Sequence, residues 1–369
     1  MNGDEPEERD AANGAPTDAP RMSRRTGAVT IYDVAERAGV APSTVSRALS
    51  KPGRINATTE ARIRRAAEEL NFRVNPMARA LHTGRTGTIA LVVADITNPV
   101  VFGIVRGAEK AASAEGYTLI IAESQESGDA EGAAVRRILP SVDGVILSMS
   151  RLASDRIHAI AREKPLVLIN RALEDVPAVV PDVSQGVTAL LDHLDELGHR
   201  SLAYLSGPTA SWMSERRWEN LLDGAESRRM GLVEIGPNAP TIEGGRAALR
   251  RVVAARVTAA VAFNDLVAIG LMQAAAHAGV GVPGRLSVTG FDDIFGSELI
   301  EPALTTVRSP LQLAGRRAVE HLLAGLAGRT VEPAGALAAE LVVRRSTAAP
   351  AGGLPEEGHP PGRSRGPAR

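Results

Sequence analysis

The chain has 369 residues, 44% hydrophobic and 23% charged, so it is long enough for two or three domains of ordinary globular composition. Its formal net charge is −1 and it contains no cysteine, which excludes a disulfide framework, a thiolate metal site and a cysteine nucleophile. No apolar run approaches the ~18–20 residues that a membrane-spanning helix needs, so no membrane partner is expected.

Both ends of the chain are predicted to be disordered tails. Residues 1–27 are acidic and rich in Pro, Ala and Gly, and residues 348–369 are dominated by Gly and Pro. The first segment also lacks the basic start and apolar stretch of a signal peptide. A cytoplasmic location is therefore expected.

A basic stretch follows the first tail. Residues 21–87 carry thirteen basic and five acidic side chains, a local net charge of +8. Such an excess suits a partner of opposite charge, above all nucleic acid. A solvated charged surface would explain this excess equally well. The sequence patterns inside the stretch must therefore distinguish it from a nucleic-acid-binding surface.

Residues 28–72 predict a head of three short helices. Thr30 can cap the first helix, Gly39 can end it in a left-handed turn, and Pro42 suits the first position of the second. In the second helix Val45 and Leu49 face inward, which leaves a polar outward face formed by Ser43, Thr44, Ser46 and Arg47. A short polar helix after a glycine turn fits the DNA major groove.

A third helix is predicted from Asn56, its cap, to Leu70, with Ile63, Ala66 and Ala67 inward. Any small three-helix bundle would show the same spacing, so the pattern leaves DNA binding and a plain bundle open. Residues 73–87 then form a hinge. Its segment 75–81 covers barely two helical turns, which are marginal alone in water, so it should be ordered only when held by something else.

Residues 88–347 alternate short apolar runs with amphipathic stretches. The runs are predicted to be buried strands, at Thr88–Ala94, Thr118–Ala122, Gly144–Leu147, Leu166–Ile169, Ser201–Leu205, Ala259–Phe263 and Leu286–Gly290. Strands alternating with helices indicate an α/β fold with parallel sheets covered on both faces. Because ~260 residues exceed one comfortable sheet, two lobes are predicted.

Polar residues follow these strands, where open parallel sheets bind their ligands. Asp95 and Asn98 follow the first strand, Arg171 the fourth and Asp265 the sixth. Each of these side chains, and Asp292 after the last strand, can instead be a structural cap. Trp212 can stack on a ligand or simply pack in the core.

The motifs resemble those of the lactose-repressor/galactose-repressor (LacI/GalR) family over about residues 29–347. The head carries TIYDVA at 30–35, AGV at 38–40 and STVSRAL at 43–49, and NPMARALHTGRTGTI follows at 75–89. Further matches are DITNP at 95–99, VDGVI at 142–146, FND at 263–265, GFDD at 290–293, PALTT at 302–306 and RRST at 344–347.

This resemblance implies a homodimeric transcriptional regulator, expected to be a repressor, with a helix-turn-helix head and a two-lobed sensor of the periplasmic-binding-protein type. The expected partners are a pseudo-palindromic DNA operator and a small-molecule effector, most simply a carbohydrate, with no cofactor or metal. The implied DNA contacts are Thr30, Tyr32, Pro42, Ser43, Thr44, Ser46, Arg47, Asn75, Ala78 and the wedge Leu81. The implied effector contacts are Asp95, Asn98, Arg171, Trp212, Arg217, Asp265 and Asp292.

Four positions depart from the family pattern. Pro42 cannot donate a hydrogen bond at the first base-reading position, and Val100 and Val101 replace an aromatic pair. Asn220 stands where a glycine is usual. These departures predict an atypical effector.

Two other protein classes compete with a regulator. A periplasmic transport receptor would share the two lobes but would need a signal peptide and no DNA-binding head. An enzyme is disfavoured because the seven histidines lack metal-ligand spacing and no nucleophile elbow or phosphate loop is present. The sequence leaves open the effector's identity, whether it induces or corepresses, and the sign of regulation.

Overall fold

The computed structural model describes residues 29–50, 53–72, 84–329 and 337–351, which fall into two compact units. The first unit is the head, up to residue 72, and the second is the α/β domain from residue 84 onward. The predicted hinge contacts Asn75, Ala78 and Leu81 lie outside the described residues. Within the described part, no helix is long and apolar enough to cross a membrane.

The head is the predicted bundle of three helices: α1 (Ile31–Ala38), α2 (Pro42–Ser50) and α3 (Ala57–Glu69). Its core is small and apolar, and its fully buried residues include Val34, Val45, Ala48 and Ile63. Thr30 is the residue before α1, and both its backbone N–H and its hydroxyl donate to the Asp33 carboxylate. Gly39 ends α1 at φ 62°, a conformation that glycine adopts without steric cost.

Lobe 1 of the α/β domain is a five-stranded parallel sheet in the order β2-β1-β3-β4-β5. Its strands are β1 (Thr88–Val93), β2 (Thr118–Glu123), β3 (Gly144–Ser148), β4 (Leu166–Ile169) and β5 (Ala178–Val179). Its helices are α4 (Val100–Ala114), α5 (Gly128–Ile138), α6 (Ser154–Glu163) and, after a return from lobe 2, α11 (Leu311–Leu326). Apolar clusters on both sheet faces join strands to helices.

Lobe 2 is a six-stranded sheet in the order β13-β11-β10-β9-β7-β8, parallel except for β13. Its strands are β7 (Ser201–Leu205), β8 (Gly231–Glu234), β9 (Ala259–Ala262), β10 (Ser287–Asp292), β11 (Thr305–Arg308) and β13 (Glu340–Val342). Its helices are α7 (Val183–Glu196), α8 (Trp212–Ser227), α9 (Ile242–Ala254) and α10 (Asp265–His277). The short strands β6 (Pro181–Asp182) and β12 (Leu337–Ala338) pair with each other beside the sheets.

The two lobes share one topology, since the first strand of each lies between its second and third. The strand order therefore reverses beside β1 in lobe 1 and beside β7 in lobe 2, and ligands of such sheets bind outside the carboxyl ends of the strands at these points. The predicted α/β fold with a helix-turn-helix head and two parallel-sheet lobes is confirmed.

The first described residues of the α/β domain are tied to lobe 1 by one buried carboxylate. Asp143 accepts hydrogen bonds from the N–H of Thr86 at 2.7 Å, the Thr86 hydroxyl at 2.9 Å and the N–H of Gly87 at 2.9 Å. At the other end, Ala348 accepts from His199 and donates to the Ser287 hydroxyl, so ordered backbone contacts continue past residue 347.

Candidate functional site

A cavity lies between the lobes, at the carboxyl ends of their strands. Lobe 1 lines it with Asn98, Val100, Glu126, Met149, Arg151 and Asn170. Lobe 2 lines it with Ser211, Met213, Arg217, Pro240, Phe263, Asn264 and Asp292. Its lining comes from the ends of β1, β2, β3, β4, β7, β8, β9 and β10 and the segments that follow them, so the polar groups of the two switch points converge here.

On the lobe 2 side, Arg217 and Asp292 form a buried ion pair. Arg217 Nη2 donates to Asp292 Oδ1 at 2.9 Å, and Nη1 donates to the Phe263 carbonyl. The guanidinium lies over the rings of Phe263, at 5.1 Å, and Phe291, at 4.3 Å. Burial raises the pKa of Asp292, and the charge and hydrogen bond of Arg217 offset part of that rise.

The backbone that carries Asp292 is strained. Asp292 has φ 105° and Asp293 has φ 53°, both in the region that residues other than glycine avoid. Such strain persists only where surrounding contacts hold the backbone in place. Arg308 provides one such contact, since its Nε donates to Asp293 at 2.7 Å.

Asp265 also holds the turn after β10, and it is not among the residues that line the cavity. Its carboxylate is fully buried and accepts from the N–H of Ile294 at 3.0 Å, the Ser297 hydroxyl at 2.5 Å and the Thr306 hydroxyl at 2.5 Å. Burial and the neighbouring Asp292 raise the pKa of Asp265 to about 7. The bonds of this carboxylate go to the turn after β10, through Ile294 and Ser297, and to β11, through Thr306. An effector contact at Asp265 stays a prediction.

Three other predicted effector residues also lie outside the cavity lining. Asp95 accepts from the backbone and hydroxyl of Thr97 and so closes its own turn. Arg171 donates to the carbonyls of Ser150 and Leu152, which turns its guanidinium away. Trp212 begins α8 and carries the Arg216 guanidinium 5.4 Å from its ring centre.

The remaining three predictions, Asn98, Arg217 and Asp292, are brought together in the cavity. Sequence reasoning missed the other polar lining residues, which are Glu126, Arg151, Asn170, Ser211 and Asn264. These residues lie in loops that follow predicted strands. Three of them, Asn170, Ser211 and Asn264, directly adjoin a predicted effector residue.

In the head, the predicted reading surface is accessible. Ser43, Ser46 and Arg47 are exposed on α2, whereas Pro42 and Thr44 are half-buried. Tyr32 projects from α1 with 70% of its surface exposed, and Thr30 is exposed at the helix start. A polar face of this kind on the second helix is what a helix-turn-helix presents to the major groove.

Comparison with known proteins agrees with both units. Residues 30–75 match the bacterial regulatory proteins of the lacI family, and residues 191–347 match the periplasmic binding protein-like domain. The chain is 30% identical to the HTH-type transcriptional repressor CytR of Escherichia coli (strain K12) over 340 residues, covering 89% of this chain and 99% of the relative.

Two solved structures are also similar. The lac repressor dimer bound to operator and the anti-inducer ONPF is 26% identical with a TM-score of 0.79, covering 87% of this chain and all of that one. The complex of the transcriptional regulator CelR with cellobiose is 28% identical with a TM-score of 0.63, covering 86% of this chain and 99% of that one.

Proposed function

The chain belongs to the LacI family of bacterial regulatory proteins, and on that premise we propose that a carbohydrate in the interlobe cavity controls its affinity for a DNA operator. It is a DNA-binding transcriptional regulator, and the repressors among its relatives favour repression as its action. The protein acts as a homodimer, as the lac repressor does in its operator complex.

The observation that carries the effector site is the Arg217–Asp292 pair beside the cavity. A buried ion pair loses much of its Coulombic gain to desolvation, so stability alone is a weak reason to keep one. Here the pair leaves one Asp292 oxygen and the buried Arg217 Nε without a hydrogen-bond partner among the described residues. A ligand hydroxyl would satisfy such groups, and cellobiose in the CelR complex belongs to that chemical class.

For the DNA interface we propose the exposed face of α2, with Ser43, Ser46 and Arg47 reaching base edges. Thr30, Tyr32, Pro42 and Thr44 would support this contact, and the hinge residues Asn75, Ala78 and Leu81 would act at the operator centre. Two heads related by a two-fold axis require a pseudo-palindrome with half-sites ~10 bp apart or a multiple of that.

The domain limits proposed from the sequence, 28–72, 73–87 and 88–347, accompany this function. We also propose a cytoplasmic location, where a regulator meets its DNA, and no catalytic role, since the relatives named above are regulators.

The test is an operator titration. An operator would be selected from random DNA, and its affinity measured by fluorescence anisotropy with and without cellobiose, ribose and galactose. A sugar should change operator affinity by ~5- to 150-fold, and Arg217→Ala should remove that change while leaving sugar-free affinity within a few-fold. Arg228→Ala, on the surface pair with Asp192, is the matched control. Full response in Arg217→Ala would place the effector elsewhere.

A further inference from the structure

The cavity contains a second ion pair, contributed by lobe 1. Arg151 Nε donates to Glu126 Oε2 at 2.8 Å, and Nη1 donates to the Met149 carbonyl at 2.9 Å. The shortest distance of the ion pair, 2.8 Å, joins Arg151 Nη2 to the same Glu126 oxygen. Only 6% of the Arg151 side chain and 26% of the Glu126 side chain are exposed. Each lobe therefore presents one guanidinium–carboxylate pair to the same space.

The lobe 1 pair is held in advance of any ligand. Gln125 and Glu126 both have positive φ, 52° and 58°, and this strained turn is fixed by the bond from the N–H of Glu126 to the Ala94 carbonyl. The backbone N–H of Arg151 donates to the buried Glu131 carboxylate at 2.7 Å. Both members of the pair are thus fixed through their backbones.

The pair still has bonding capacity toward the cavity. Glu126 Oε1 has no hydrogen-bond partner within the described part of the chain. Of the five N–H groups of an arginine, the hydrogen bonds above occupy two in Arg151. The neighbouring Asn170 Oδ1 is buried and lacks a partner among the described residues. An acceptor beside a donor is the complement of two adjacent hydroxyl groups.

Among the described residues that line it, the cavity is also electrically balanced and offers no open aromatic face. The charges of Arg151 and Glu126 cancel, as do those of Arg217 and Asp292. The ring of Phe263, the aromatic residue in the lining, is covered by Arg217 at 5.1 Å. A phosphate would need a cation without a partner, and a nucleobase would need a free ring on which to stack.

We propose that Glu126 and Arg151 are the specificity-determining pair of lobe 1: they hold one end of an uncharged polyhydroxylated ligand whose other end lies against Arg217 and Asp292. This inference rests on the proposed function, because it assumes that the cavity is the effector site. It adds the residues that select the ligand and the class of ligand that they reject.

The test measures binding directly, without DNA. Cellobiose, ribose, galactose, ribose 5-phosphate, galactose 1-phosphate and cytidine would be titrated into the full chain and followed by calorimetry. At least one neutral sugar should bind, and more tightly than any phosphate or cytidine. Glu126→Gln and Arg151→Gln should each weaken that sugar by about 10- to 100-fold, the effect of losing a buried charge-assisted hydrogen bond.

Glu123→Gln is the matched control, because Glu123 lies three residues away, accepts from the N–H of Ile96 and is not part of the cavity lining. It should bind the sugar as the unmodified chain does. Far-UV circular dichroism and urea unfolding would check that all three variants fold. Glu126→Gln also leaves one buried cation unbalanced, so it should gain affinity for the matching sugar phosphate.

Three results would overturn the proposal: tighter binding of a phosphate or cytidine than of every neutral sugar, no neutral sugar bound at all, or unchanged sugar affinity in both pair variants. These outcomes are separable from failure of the proposed function. If a sugar binds through the pair but never changes operator affinity, the pair is correct and the regulatory role of the cavity is wrong.

Discussion

Replacing Asp265 by Asn should remove a pH dependence from the stability of lobe 2. Burial and Asp292 raise the pKa of Asp265 from its ordinary value of 3.8 to about 7, so between these values the folded chain holds a proton that the unfolded chain has released. The contribution of Asp265 to the free energy of unfolding is fully present below pH 3.8 and is lost as the pH rises through 7. The shift corresponds to about 4 kcal/mol in total, of which about 2 kcal/mol falls between pH 5 and 7.

Asparagine resembles the protonated acid and should keep the turn in place. Its oxygen can accept from Ile294 and Ser297, and its amide can donate to the Thr306 hydroxyl. Relative to the unmodified chain, the Asp265→Asn variant should therefore become more stable by about 2 kcal/mol as the pH goes from 5 to 7. Effector affinity should change little.

Urea unfolding followed by tryptophan fluorescence measures this effect in the correct lobe. The chain has two tryptophans, Trp212 and Trp218, and both lie on α8 of lobe 2. Asp192→Asn, at an exposed carboxylate paired with Arg228, is the control and should follow the unmodified chain at each pH. Parallel pH profiles for Asp265→Asn and the unmodified chain would refute the argument.

Three further outcomes are expected. Arg47→Ala should cost ~1–3 kcal/mol of operator affinity and relax preference at one base pair per half-site, whereas uniform loss on all sequences would reduce Arg47 to a phosphate contact. Leu81→Ala should weaken operator binding but leave random-DNA binding nearly unchanged, and equal losses on both DNAs would contradict a wedge role. Asp143→Ala should keep effector affinity but reduce the effector-induced change in operator affinity, measured by anisotropy against the exposed control Asp129→Ala.

The fold could be predicted from the sequence because its signals are local and repeated. Apolar runs bounded by turn residues located the main strands, and the Gly39 turn followed by Pro42 located the second helix of the head. The four-residue strands β8 and β11 were not predicted, and the short strands were harder still. The two-residue strands β5, β6 and β12 carry too little pattern to be recognised, and β13 pairs antiparallel with β11, a contact that alternation cannot predict.

The candidate site was predicted to the loop, but only Asn98, Arg217 and Asp292 among the predicted effector residues line the cavity. Asn264 lines the cavity whereas the adjacent Asp265 is buried behind it, and Asn170 lines it whereas the adjacent Arg171 turns away. Asn264 caps α10 and Asp265 is its first residue, and Asn170 follows β4 with φ 59°. Neither pair continues a strand, so alternation along a strand cannot tell which of two adjacent side chains faces the cavity. The prediction favoured charged side chains as effector contacts, but a charged side chain can hold a turn as well as bind a ligand.

The Asp143 prediction follows from the way the α/β domain begins. Residues 84–87 are the last part of the hinge and lead into β1. Asp143, just before β3, holds Thr86 and Gly87 through three hydrogen bonds of 2.7 to 2.9 Å. An effector that closes the lobes changes operator affinity only if movement of lobe 1 reaches the hinge, and a fixed junction transmits that movement whereas a loose one absorbs it. Asp143→Ala leaves three donors without their acceptor and loosens this junction, far from the cavity lining. Effector affinity should therefore persist while the ratio of operator affinities with and without effector falls toward one. A variant that kept the full ratio would show that movement of lobe 1 reaches the hinge by another route.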